Sequence, residues 1–285
     1  MATINLGETN RLRVSQSTDS TLYMDAGEAG ELRLPRRQAD EDLATGDWIN
    51  VFVYLDSDDR PAVTTVTPRA QVGQCACLRV AQVNQVGAFL DWGLPKELLV
   101  PYAEQKYPME QAESHIVCVY IDDRTGRIVA SSKLDRFLSS INDDFEVGLP
   151  VELMVHSLTD LGYKCVVDHT HWGVLYYGDV FERLSRGDTK NGYIKRIRED
   201  GKIDLCLQPL GVEGTEDVSH RILAKLGEHE GFLAVNDKSA PQDVYALLGV
   251  SKKAFKKALG SLYKKRLVTL EDDGVRLVDT PGDSE

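Results

Sequence analysis

The sequence predicts a mainly β protein with an α+β tail: three small antiparallel barrels in tandem, then a compact helical domain. Three observations lead there. Between Gly73 and Lys133, five short alternating segments are separated by Gly, Pro and Asp: Gly73–Val80, Val86–Leu90, Glu97–Pro101, His115–Ile121 and Arg127–Ser131. Period-two alternation in runs this short fits the five strands of a small barrel. The same text recurs. Gly7, Leu34, Pro35, Tyr54 and Asp56 return 66 positions later as Gly73, Val100, Pro101, Tyr120 and Asp122, and more loosely as Gly148, Leu175 and Tyr176. Beyond Pro209 the apolar spacing changes to three and four, which is helical. Repeats longer than the ~20–50 residues of solenoid units are tandem domains.

Residues 1–67 are expected to form the first barrel, opening with a hairpin (Asn10–Val14, Thr21–Met24) and containing a long alternating strand, Trp48–Tyr54. Residues 68–138 form the second. On its second strand, Phe89 and Asp91 share one face while Ala88 and Leu90 share the other, so a buried Leu90 presents Phe89 outward; Trp92 reads as packing. A polar link, Ser139–Phe145, leads to the third barrel (145–210), whose third strand Trp172–Tyr177 is aromatic and whose fourth carries Lys190, Lys195, Arg196 and Arg198, with Lys202 past the turn. In the tail (215–280), Val218, Ile222, Leu223 and Leu226 mark an amphipathic helix over 217–228. Ser239 is the expected cap of a second helix, with Pro241 in its first turn and Gly249 as its stop. Ser251 caps a third, with Lys252, Lys253, Lys256 and Lys257 outward. Leu267–Leu270 and Val275–Val278 form a hairpin across Asp272-Asp273-Gly274.

Composition narrows the function. A formal net charge of -12 argues against a general nucleic-acid coat, because phosphate neutralisation supplies most non-specific affinity. Acidic residues crowd the first barrel (Asp40-Glu41-Asp42, Asp56, Asp58, Asp59), whereas cations gather at 190–202 and 252–266, so binding is expected in the second half. Five cysteines, all inside expected strands and without a CxxC pair, read as small apolar residues in a reducing compartment. His169 and His171 alternate, but no third ligand stands at useful spacing, so a loop without metal is expected. The N-terminus carries no basic-then-apolar leader, and no apolar run nears the ~18 residues of a membrane span. The expectation is a soluble, cytoplasmic protein that engages no membrane. There is no P-loop, dinucleotide fingerprint, HExxH or nucleophile elbow, and the acidic pairs fall in turns. No enzyme, catalytic residue, cofactor or metal is predicted, and the oligomeric state is left open.

The second repeat, through Gly87-Ala88-Phe89-Leu90, Leu99-Val100-Pro101 and Asp122–Ser131, resembles the RNA-binding S-one repeat, a five-stranded OB-fold barrel. It departs at Val86, where an aromatic is usual, and at Pro101, where the family has His. The helix, helix-turn-helix and hairpin of the tail resemble a winged-helix domain. Barrels followed by a winged helix, in this order and over nearly the whole chain, resemble the conserved virulence factor B family of bacterial RNA-binding proteins linked to gene regulation. The resemblance implies RNA binding shared between a barrel and the winged helix, without catalysis.

The expected partner is single-stranded RNA, bound weakly and salt-sensitively by Tyr176, Lys164, Lys195, Arg196 and Lys202 together with Lys252, Lys253, Lys256 and Lys257. Phe89 and Arg127 would form a second patch, ring stacking beside a phosphate contact. Two other readings stay open: a winged-helix DNA-binding regulator, and a protein-docking adaptor with degenerate barrels. Against operator recognition, the third helix projects no Arg, Asn or Gln for base readout, and the hairpin tip (Glu271-Asp272-Asp273) is acidic.

Overall fold

A computed structural model describes residues 4–180, 183–209 and 215–278. The first barrel comprises β1 (Thr9–Ser17), β2 (Thr21–Asp25), β3 (Glu31–Pro35), β4 (Trp48–Leu55) and β5 (Pro61–Thr64), in sheet order β3-β2-β1-β4-β5. The second repeats this order with β6 (Cys75–Val83), β7 (Gly87–Asp91), β8 (Leu98–Pro101), β9 (Ser114–Ile121) and β10 (Ile128–Ser131). The third is built from β11 (Pro150–Leu158), β12 (Gly162–Val167), β13 (His171–Tyr176), β14 (Thr189–Ile197) and β15 (Ile203–Cys206). It closes fully, because β13 and β15 pair in parallel through Gly173↔Ile203 and Leu175↔Leu205.

The repeat seen in the sequence is a repeated set of backbone devices. Gly7, Gly73 and Gly148 all adopt positive φ (77°, 84° and 91°), which glycine tolerates without a Cβ penalty. Each donates its N–H into the fourth strand of its barrel, to the carbonyls of Val53, Val119 and Ile194 at 2.8, 2.9 and 2.8 Å. Each first strand then slips register at one place, Val14/Gln16, Val80/Gln82 and Val155/Ser157. Such bulges bend a strand and help a sheet curl. Gly87 and Gly162 open the second strands of their barrels, where a Cβ would lie 2.2 Å from the carbonyl of Val100 or Leu175.

Each barrel has its own apolar centre, and alternation fills it. In β1, Leu12 and Val14 point in; in β7, Ala88 and Leu90 are fully buried while Phe89 and Asp91 are half-exposed, as the alternation predicts. Neighbouring barrels also share side chains. Phe52 of β4 is buried in the second barrel's cluster, edge-on to Trp92 with ring centres 5.7 Å apart. Between the second and third barrels, Cys75, Ile116, Cys118, Leu134 and Leu138 pack against Met154, Val166 and Trp172.

The tail folds around a separate core: α1 (Thr215–Glu228), β16 (Phe232–Leu233), α2 (Pro241–Leu248), α3 (Lys252–Lys264), β17 (Val268–Leu270) and β18 (Val275–Leu277). Gly249 ends α2 in the left-handed region, φ 65°, and Ser251 caps α3 by accepting the Ala254 N–H.

Two local expectations, a helix cap and the state of two cysteines, are corrected, and two features are added. The residue preceding α2 at its N-cap is Ala240, and Ser239 instead accepts from the Asn236 N–H at 2.9 Å. The hairpin gains a third strand, β16, beside β18. The link after the second barrel is stitched to the third, with Ser139 N–H on the Thr170 carbonyl and Trp172 N–H on the Ser139 carbonyl, both 2.8 Å. Finally, Cys75 and Cys118 face each other across β6 and β9 and are joined by a disulfide, while Cys77, Cys165 and Cys206 are free thiols. Spacing in the chain carries no sign of that cross-strand register.

Candidate nucleic-acid interface

The patch predicted on the second barrel lies at its junction with the first. Phe89, Trp92, Lys96 and Arg127 line a recess of about 260 Å³ together with Asp59 from the turn between β4 and β5. Asp59 bridges two cations: its carboxylate is 3.2 Å from Lys96 Nζ and is also hydrogen-bonded by the Arg127 guanidinium. The Lys96 ammonium, followed by Arg127, holds the Asp59 carboxyl below the usual carboxylate range. Trp92 is buried and donates its indole N–H to the Lys96 carbonyl at 2.7 Å, so it is packing. Phe89 keeps a partly exposed ring, but Arg127 is occupied by an internal carboxylate, that of Asp59, in place of the phosphate expected from the sequence.

On the third barrel, Tyr176 ends β13 at the position of Pro35 and Pro101, as Thr21↔Pro35, Gly87↔Pro101 and Gly162↔Tyr176 pair alike. It is half-buried. Its hydroxyl lies 2.5 Å from Arg198 Nη2 and 3.2 Å from Asp204 Oδ1, and Arg198 stands 5.9 Å over the ring. Lys164 shares that outer face, but its ammonium sits 3.6 Å over the Trp172 ring and 3.8 Å from Asp135. Burial lowers its pKa from the ordinary lysine value. Lys195 pairs with Asp179 and Lys202 with Asp200, both at 2.6 Å, whereas Arg196 is exposed without an ion pair among the described residues. Exposed pairs of this kind contribute only about 0–1 kcal/mol, so a phosphate can displace the carboxylate.

The winged helix divides its lysines. Lys252 donates to the Ser239 carbonyl at 2.6 Å, and Lys256 stands 3.7 Å from Asp237. Lys253 and Lys257 are exposed with no ion pair among the described residues, and so is Lys264, which the sequence reading missed. Lys264 lies eleven residues after Lys253, three helical turns along the same face, and that spacing was the available signal. Gly260 and Ser261 fall between, small enough for a polymer to approach. At the hairpin tip, Glu271 is held by Arg276 at 2.6 Å and below its usual pKa by that bond.

The two histidines acquire partners that spacing could not show. The link brings Asp143 and Asp144 to His171, with potential ligand atoms within 4.8 Å of one another. Both ring nitrogens of His171 are engaged, Nε2 with Asp143 at 2.8 Å and Nδ1 with Thr170 Oγ1 at 2.9 Å, which fastens the link to β13. His169 Nδ1 accepts the Cys75 N–H at 3.2 Å, joining the second and third barrels.

Repeated five-stranded barrels and a helix-turn-helix with a β wing define a class of protein built from nucleic-acid-binding modules. Residues 6–66 match the S1 domain, and residues 220–277 match the CvfB-like winged helix domain. Over most of its length the chain is similar to the uncharacterized protein YitL of Bacillus subtilis, 27% identical over 93% of this chain and 91% of that one. It is similarly related to conserved virulence factor B of Staphylococcus saprophyticus, 24% identical over 88% and 86%. A crystal structure of a multidomain protein with nucleic acid binding domains from Streptococcus pneumoniae covers 96% of this chain and 98% of its own, at 23% identity and a TM-score of 0.40. Over most of its length the chain resembles the conserved virulence factor B proteins, and its tail matches the winged helix domain of that type. None of its helices among the described residues is long and apolar enough to cross a membrane.

Proposed function

We propose that this protein binds single-stranded RNA without catalysing a reaction on it, and acts in post-transcriptional control in the cytoplasm. The observation that carries the reading is the stripe Lys253–Lys257–Lys264 on α3. Whereas Lys256 on the same helix stands near a carboxylate, these three have no ion pair among the described residues and run along about 16 Å of one exposed helix face. Ammonium groups without base-reading neighbours fit a phosphate backbone and are indifferent to base identity. Arg196 and the half-exposed ring of Tyr176 on the third barrel add a charge and a stacking surface.

Duplex DNA is the competing ligand, and the acidic wing tip, with Asp272 wholly exposed, opposes a second backbone contact there. The test is fluorescence anisotropy with one labelled single-stranded RNA, its DNA counterpart and a duplex of the same sequence, each at 50 and 200 mM salt. RNA bound tightest, with affinity falling steeply with salt, is the expected result. Duplex DNA bound tightest would replace this reading with that of a DNA-binding regulator.

A further inference from the structure

Between the second and third barrels lies an open cleft of about 820 Å³, lined by none of the residues discussed so far as RNA contacts. Lys106 and Tyr107, in the stretch following β8, line it with Glu113 from the second barrel, and His156 of β11 with Arg183 and Arg186, preceding β14, line it from the third. We infer that this cleft is a second nucleic-acid site, in which Lys106, Arg183 and Arg186 seat the phosphodiester backbone of a single-stranded RNA while Tyr107 stacks on a base. The inference rests on the RNA-binding reading above and extends it to a separate surface.

The charge balance supports it. In a protein of net charge -12, the cleft gathers three fixed cations against one lining carboxylate. That carboxylate, Glu113, is already engaged by the His115 ring at 2.9 Å and the Glu110 N–H at 3.1 Å. Arg183 and Arg186 are exposed and have no ion pair among the described residues. Lys106 has only Asp135, 3.8 Å away and shared with Lys164. Like charges gathered without counter-charge raise the local potential, and a bound polyanion relieves it.

His156 registers that potential. Its pKa is pushed down to about 4, first by burial and then by Lys164, Arg186 and Lys106, with Asp135 opposing. Its ring stays neutral at physiological pH, Nδ1 beside Ser157 Oγ at 3.0 Å and its edge against Trp172. The stacking surface is present too: Tyr107 is 70% exposed, and an exposed aromatic beside a cationic groove is what a flexible single strand requires.

The test is anisotropy titration of the full-length K106Q/R183Q/R186Q variant with a fluorescein-labelled 12-nucleotide single-stranded RNA, beside wild type and K253Q/K257Q. Urea unfolding verifies that each variant is folded. Loss of three phosphate contacts, at a slope of about −0.7 per contact, should make affinity roughly 18-fold less sensitive to a fourfold rise in salt. Photocrosslinking with 4-thiouridine RNA should mark Tyr107. If the triple variant keeps wild-type affinity and salt slope while K253Q/K257Q loses both, the cleft is overturned and the RNA reading stands. If wild type binds no RNA, both fall. Uridine monophosphate bound as tightly as the oligomer would also overturn the strand path.

Discussion

Replacing Lys253 and Lys257 by Gln removes two of the three unpaired ammonium groups of the α3 stripe and leaves Lys264. With three phosphates neutralised by the stripe, the log–log salt slope carries about −2.1 from this helix, and with one, about −0.7. Between 50 and 200 mM salt, the stripe's contribution to affinity then falls about 18-fold in the parent and about 3-fold in the variant. The salt ratio measured for wild type should exceed that of K253Q/K257Q by about 7-fold, whatever other surfaces contribute, provided those surfaces are unchanged. Both side chains are exposed and unpaired among the described residues, so stability should move by no more than about 0.5 kcal/mol. Anisotropy titrations at four salt concentrations read the slope directly, and urea melts check the fold. Equal slopes for the two proteins would refute the assignment of phosphate contacts to α3.

Two further outcomes follow from groups held by neighbours. Asp59→Ala frees Lys96 and Arg127 from the carboxylate between them, so RNA affinity should rise a fewfold, and an additional Arg127→Gln change should cancel the gain; unchanged affinity would exclude this recess from the path. His156 has a folded pKa of about 4 against an ordinary 6.5, a lowered value for a basic group. Its contribution to stability is therefore complete above pH 6.5 and declines between 6.5 and 4, as the unfolded chain takes up a proton that the native state refuses. The full swing is up to about 3 kcal/mol. Urea unfolding of wild type and His156→Gln at pH 7 and 4.5 should show the variant losing less stability on acidification, and parallel losses would refute it.

The barrels were legible because their rules are local and occur more than once. A glycine at Gly7, Gly73 and Gly148, alternation around a buried Leu90, and turn residues at fixed offsets each constrain the backbone within a few residues. The tail was legible through Gly249, Ser251 and the spacing of α3. What periodicity could not reveal was which side chains from distant strands meet. Asp59 reaches Arg127 from another barrel, Asp143 reaches His171 from the link, and Cys118 reaches Cys75 across a ladder whose register the sequence leaves open. These meetings decide which predicted cations are engaged and which are free. The same limitation hid Arg183 and Arg186: they precede a strand, carry no pattern of their own, and oppose Lys106 only because the second and third barrels pack together.

Phe52 belongs by chain order to the first barrel, yet its ring completes the hydrophobic interior of the second, edge-on to Trp92. Deleting a buried phenylalanine commonly costs about 3–5 kcal/mol, a large share of what holds a small domain together. Shortened chains that begin after residue 66 would thus start from a damaged second module, its tryptophan laid open to solvent. Deletion mapping would then blame lost ligand contacts for what is lost folding, and point substitutions on the intact polypeptide are the sounder way to apportion binding among the modules.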